Sequence, residues 1–171
     1  IKENNFTLET IKLYRKIFPK NKIILSTWES ENIKEFENLN YKNLIIIKSK
    51  LPKEAGYLNI NYQIKSTKTA IEKSKEFSEI EYLIKSRTDC RVYDPNSLSH
   101  LLNLIKNFPV TENDFLNFRI LANSSSTCKY RVYGLTDIFQ FGEKNDLFNY
   151  WDVPYYEKVL LDKQYNINED P

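Results

Sequence analysis

Apolar residues along the chain fall into two alternating rhythms, one at helical spacing and one in short unbroken runs. Leu8, Ile11, Tyr14, Ile17 and Phe18 share one helical stripe, so the pattern predicts a helix. Thr7 is its expected N-cap, Phe6 and Ile11 form a hydrophobic staple, and Pro19 follows its end. Ile23 to Leu25 is a continuous apolar run of the buried-strand type, and it breaks into Ser26, Thr27, Trp28 and Glu29. A short polar helix over Ser30 to Glu37, a strand over Leu44 to Ile47 and a loop with Pro52 and Gly56 come next. The segment from Asn59 to Phe77 reads as a helix with Ile64, Thr67, Ala70 and Ile71 inward. Beyond it lie a strand at Tyr82 to Lys85, a turn at Asp94 and Pro95 with Asn96 or Ser97 as cap, and a helix to about Phe108. A strand at Phe118 to Ala122 and an aromatic alternation from Leu135 to Gly142 follow. Asp146 to Asp162 is helix-like, with Leu147, Tyr150 and Trp151 in the core, and Asn166 to Pro171 reads as a tail. The alternation predicts an α/β domain: strands 23–26, 44–47, 82–85 and 118–122 in one mostly parallel sheet, with helices on both faces.

The stretch Glu81 to Asp94, EYLIKSRTDCRVYD, carries the densest candidate chemistry. Its apolar strand runs directly into Lys85, Arg87, Asp89 and Arg91, charges that cannot all be buried. In open α/β sheets the carboxyl ends of strands open into the ligand crevice, so Asp89 among these cations suits a metal-bound anionic ligand. Ser26, Thr27 and Trp28 form a second candidate wall, with Trp28 either half-buried in a plain turn or set to bind a base or sugar. Asn59, Asn61 and Gln63 either cap their helix or hold a phosphate at its N-terminus. Asp137 is a second carboxylate of interest, against the alternative of a turn cap before a half-buried strand.

Composition narrows these readings. A chain of 171 residues, 41% hydrophobic and 14% aromatic, fits one globular domain that folds without disulfides or metal. A net charge of only +2 with no dense basic tract disfavours nucleic acid as a partner. No apolar run reaches membrane-spanning length, and Cys90 and Cys128 read as free thiols in a reducing, cytoplasmic setting. With only Gly56, Gly134 and Gly142 present, neither a phosphate-cradling glycine loop nor a dinucleotide fingerprint exists. The single histidine, His100, lies among Leu98, Leu101, Leu102 and Ile105 at helical spacing and reads as a helix residue, which disfavours histidine-based hydrolase sites. The lack of methionine and the polar opening suggest a piece of a longer chain.

Four ordered blocks, FTLETIKLYRKIFPKNKIILSTWES, NINYQIKSTKTAI, EYLIKSRTDCRVYD and LTDIFQFGEKNDLFNYWD, resemble the WavE family of lipopolysaccharide-synthesis proteins. The resemblance implies a GT-A-like, Rossmann-like nucleotide-diphospho-sugar transferase fold, here lacking the family's first strand and C-terminal part. It implies transfer of a sugar from a nucleotide-sugar donor to a glycan or lipid-linked glycan acceptor in bacterial lipopolysaccharide or capsule biosynthesis, at or near the inner membrane face. On that reading Asp89 holds a divalent metal, Mn²⁺ or Mg²⁺, and Arg87 stands where a second carboxylate is common, sharing neutralisation of the diphosphate. Ser26, Thr27 and Trp28 face the nucleoside, Asn61 and Gln63 the diphosphate or donor sugar, and Asp137 the acceptor as general base. A non-catalytic sugar- or partner-binding domain and another metal-dependent phosphoryl enzyme are the alternatives.

Overall fold

The computed structural model describes residues 6–111, 115–125, 127 and 135–157. Cys128, Gly134 and the expected tail lie outside the described residues, as does the end of the helix-like segment beyond Glu157. Helix α1 (Phe6–Ile17) leads into β1 (Ile23–Trp28), the short α2 (Lys34–Glu37) and β2 (Leu44–Ser49). A 3₁₀ turn at Tyr57–Asn59 opens α3 (Ile60–Ser74), followed by β3 (Tyr82–Ser86) and α4 (Ser97–Asn107). The short β4 (Leu121–Ala122), β5 (Phe139–Glu143) and α5 (Lys144–Trp151) complete the order. Thr7 is a buried residue inside α1 and not its cap, since helical geometry already includes Phe6. Past Pro19, the Arg15 guanidinium donates to the carbonyls of Pro19 and Asn21 at 2.8 and 3.0 Å, closing off the carboxyl end.

The chain is a mixed α/β fold, but its strands do not pair as one mostly parallel sheet. β1 and β2 are parallel, with Ile23 opposite Leu44 and Trp28 opposite Ser49. β5 lies between β3 and β4 and runs against both, with Leu83 opposite Gly142 and Leu121 opposite Phe141. The strand order is therefore β1-β2 in one sheet and β3-β5-β4 in another. An unbroken apolar run such as Tyr82 to Ile84 marks burial on both faces and carries no information about the direction of its neighbour. The run alone therefore does not reveal the antiparallel insertion of β5.

Two apolar clusters hold these pieces. Ile11, Leu25 and Phe36 are buried together, with Leu8, Ile23, Ile33 and Leu44 packed on them, so α1 and α2 cover one face of β1 and β2. α3 covers the other face, where Tyr62 meets Trp28 edge to face with ring centroids 5.7 Å apart. The second cluster is Ile64, Ile71, Leu147 and Trp151, flanked by Leu83, Ile120 and Phe148, so the same α3 also packs on α5 and β3. Trp151 donates its indole N–H to the amide oxygen of the fully buried Gln140 at 2.8 Å. Tyr150, expected in the core, instead keeps 38% of its surface exposed. α5 starts where the Glu143 carboxylate accepts from the backbone N–H groups of Asn145 and Asp146, a side-chain cap.

Leu147 is fully buried at the meeting point of α3, α5 and the β3-β5-β4 sheet. Leu147→Ala is expected to lower unfolding free energy by about 2–5 kcal/mol in urea titration, the range for an unrelaxed core cavity.

Candidate functional site

A cleft of about 960 Å³ runs between β1 and β3, with α1 on one side and α3 on the other. Its mouth lies at the carboxyl ends of the two strands, where Thr27 and Trp28 end β1 and Arg87, Thr88 and Asp89 follow β3. Gln63 of α3 and Asp137, just ahead of β5, also line it. The sequence places Thr27, Asn61 and Asp89 in one crevice; Thr27 and Asp89 line this one, and Asn61 does not. Ser26 lines it too, and its hydroxyl is buried without a hydrogen-bond partner among the described residues.

The charges at the mouth form a connected chain. Arg87 grips Asp89 through two parallel hydrogen bonds, Nε to Oδ1 at 2.9 Å and Nη2 to Oδ2 at 2.6 Å. The same guanidinium comes within 4.0 Å of the Asp137 carboxylate, which Lys85 approaches to 3.6 Å. Lys85 also donates to the Asp137 backbone carbonyl and lies 5.1 Å from the centre of the Trp151 ring. A lysine at the end of an apolar strand is thus the residue that fixes Asp137. Lys85 is mostly buried, and that burial pushes its ammonium below the usual lysine range, with Asp137 partly offsetting it.

The Arg87 hydrogen bonds hold the Asp89 carboxyl below its ordinary 3.8, and Asp89 in turn raises Arg87. A depressed carboxyl stabilises the folded state above its unfolded value, and this contribution fades as the pH falls through the folded value. Because Asp89 and Arg87 are 59% and 45% exposed, solvent screening keeps the gain small. The pair is therefore charged at neutral pH at the cleft mouth. Cys90 alongside is a free thiol whose ionisation is pushed up by burial and by Asp89, so it is not activated as a nucleophile.

Asn61 belongs elsewhere. It is 2% exposed, its amide N–H groups donate to the carbonyls of Glu54 and Tyr156, and its oxygen accepts from the Tyr156 backbone N–H at 2.7 Å. The expected diphosphate-facing amide thus has all its hydrogen-bonding groups engaged in tying the loop before α3 to the segment after α5. That loop reaches α3 through three residues of positive φ, Gly56, Leu58 and Asn59, at 70°, 51° and 61°. At Gly56 an added Cβ would come within 2.9 Å of Ile60 and 3.0 Å of Asn61, so only glycine fits. Asn59 occupies the cap position of α3 in left-handed geometry and makes no side-chain cap bond.

For a divalent cation the mouth offers two carboxylates, Asp89 and Asp137, with Arg87 between them. Among the described residues no cluster of three or more His, Cys, Asp or Glu side chains could cage one. Such a donor set fits a cation only where a bound ligand supplies further oxygens and Arg87 releases Asp89.

The sequence profile of a family described as WavE lipopolysaccharide synthesis matches residues 2–169. The chain belongs to the WavE lipopolysaccharide-synthesis family. That membership places the chain in lipopolysaccharide synthesis. No curated protein and no solved structure matches the chain. For this WavE-family chain, no helix among the described residues is long and apolar enough to cross a membrane.

Asn61→Ala separates the two roles considered for this amide. Stability is expected to fall by about 1–3 kcal/mol in chemical denaturation, because the backbone groups of Glu54 and Tyr156 lose the buried amide that ties them together. Affinity for a ligand of the cleft, measured by calorimetry below the melting transition, is expected to stay within about twofold.

Proposed function

We propose that this protein is a glycosyltransferase that moves a sugar from a nucleotide-sugar donor to a glycan acceptor of lipopolysaccharide. The observation that carries the reading is the joint lining of one cleft mouth by the end of β1 and by Arg87, Asp89 and Asp137. A nucleotide sugar is long, with an aromatic base at one end, two phosphates in the middle and a polar sugar beyond. A site for it needs an aromatic wall, cations and carboxylates within one opening, and Trp28, Arg87 with Lys85, and Asp89 with Asp137 supply these. Membership of a lipopolysaccharide-synthesis family supports the same choice.

In this reading the nucleoside lies along Ser26, Thr27 and Trp28, with Gln63 toward the donor sugar. Negative charge grows on the diphosphate as its bond to the anomeric carbon breaks, and Arg87 neutralises it through the planar fork that now grips Asp89. Asp89, released from Arg87, would hold a divalent cation together with the diphosphate's own oxygens, and that cation would supply Lewis-acid stabilisation of the leaving group. Asp137 accepts the proton of the attacking acceptor hydroxyl, held in place by Lys85 through both its carbonyl and its carboxylate. The closed Arg87–Asp89 fork favours, as a second reading, a sugar-binding domain of the same fold without turnover.

Two substitutions divide these readings. Asp89→Asn is expected to abolish the metal dependence of donor binding in calorimetry with Mn²⁺ and a nucleotide sugar, with little change in stability. Asp137→Asn is expected to keep donor binding while lowering turnover by about 10²- to 10⁴-fold, the range for loss of a proton-transfer group. Full activity of Asp89→Asn at saturating donor and metal would remove Asp89 from the site. Donor binding without turnover in the unaltered protein would favour the second reading.

A further inference from the structure

The charge cluster after β3 contains one cation, Arg91, that does not line the cleft. Its guanidinium instead reaches α1, where Nε donates to the Thr10 hydroxyl at 2.7 Å and Nη2 to the Phe6 carbonyl at 2.9 Å. The same group lies 3.7 Å from the centre of the Phe6 ring, close enough to stack on its face. One residue on, the Val92 backbone N–H donates to the Tyr14 hydroxyl at 3.1 Å. Phe6, Thr10 and Tyr14 are spaced by four, so one face of α1 carries the whole attachment. Every acceptor in it is neutral.

The place of this attachment matters more than its strength. β1 and β3 share no strand hydrogen bonds among the described residues, so the two walls of the mouth belong to separate sheets. α1 belongs to the β1 wall, because its Ile11 is buried with Leu25 of β1 and Phe36 of α2. Arg91 and Val92 therefore tie the segment that carries Arg87, Thr88 and Asp89 to the opposite wall. The other end of that segment is fixed on its own side, where the Arg87 N–H donates to the Ile138 carbonyl and the Cys90 N–H to that of Arg87. Thr88 and Asp89, exposed between the two anchors, stand at a distance from Thr27 and Trp28 that the seat of Arg91 sets. At the opposite end of the strands Lys22 pairs with Glu79 at 3.0 Å, so the cleft is tied across at both ends.

We propose that Arg91 is a positioning residue that fixes the spacing between the two walls of the mouth, and through it the affinity for a ligand that must touch both. The inference rests on the functional reading above, in which the base lies along Thr27 and Trp28 and the diphosphate meets Arg87 and Asp89. Such a ligand gains from being linked: once one part is bound, the other is held at a high effective concentration. That gain is lost when the two subsites no longer match the ligand's length. Arginine suits the task because its planar fork bonds two acceptors and stacks on a ring at once, which a lysine ammonium cannot reproduce. Arg91 acts here without touching the ligand, since Nε and Nη2 are engaged on α1 and the side chain lies outside the cleft lining.

The test compares ligands that reach one wall or both, by NMR titration of the ¹⁵N-labelled protein with Mg²⁺ present, below the melting transition. Pyrophosphate needs only the Arg87 and Asp89 side. A nucleoside diphosphate, taken as the tightest binder among the uridine, guanosine, cytidine and thymidine forms, needs both. Arg91→Ala is expected to weaken the nucleoside diphosphate about tenfold and to leave pyrophosphate within about twofold, with Arg91→Lys falling between. Tyr14→Phe removes a single hydroxyl from the same attachment and is expected to move the ratio of the two affinities the same way by about threefold, the scale of one hydrogen bond. Equal losses for both ligands would overturn the proposal by making Arg91 an anion contact. So would lowered stability with both affinities unchanged, the mark of a purely structural tie. Failure of the unaltered protein to bind any of the nucleoside diphosphates would remove the functional reading and this inference together.

Discussion

Everything in this structure depends on α3 packing on two sheets at once. Its Tyr62 meets β1, while Ile64 and Ile71 close over Leu147 and Trp151 beside β3. No strand hydrogen bonds join β1 to β3 among the described residues, so this helix, with α1 opposite, sets the width of the cleft. Burial of its apolar seam is favourable by roughly 25 cal/mol for each Å² removed from water, and that gain holds the two strand ends in register with each other. The cleft mouth is a consequence of this packing.

The mouth itself is governed by how two cations are shared between two carboxylates. Arg87 is committed to Asp89 by a planar fork, and Lys85 is committed to Asp137 from below. The four charges cancel, so the site is neutral when empty and has a guanidinium that an anion can recruit. A diphosphate competes for Arg87 on equal geometric terms, since carboxylate and phosphate both match the fork. In the proposed function, release of Asp89 would thereby be coupled to arrival of the anion. Lys85 is not free in the same way, because its burial leaves it little room and its backbone contact to Asp137 is structural.

Much of this was legible in the residues. Apolar runs located β1, β2 and β3, helical stripes located α1, α3 and α4, and the charge cluster after Tyr82 to Ile84 marked the strand end that lines the cleft. The failures have physical causes. Strand direction is set by pairing partners far along the chain, so the aromatic alternation up to Gly142 marked a strand but not that β5 runs antiparallel between β3 and β4. Asn61 looked like a ligand amide because its use depends on Glu54 and Tyr156, one of them 95 residues away. Lys85 was visible as a charge, but its role needed the position of Asp137. Asp146, fully buried and accepting from the backbone of Asn117 and Phe118, was read only as the start of a helix. The spacing Glu143 to Asp146 at the head of α5 was the available signal, since a carboxylate in a first helical turn is placed to take backbone N–H groups.

The most direct measurement is NMR mapping of nucleotide-sugar binding to the ¹⁵N-labelled protein, with and without Mg²⁺. The account predicts perturbations concentrated at Ser26 to Trp28, Gln63 and Arg87 to Asp89, with Asn61 and Tyr156 unaffected. Binding that perturbs Asn61 and Tyr156 and leaves Arg87 and Asp89 unchanged, or no binding across a panel of uridine, guanosine, cytidine and thymidine diphospho-sugars, would contradict it.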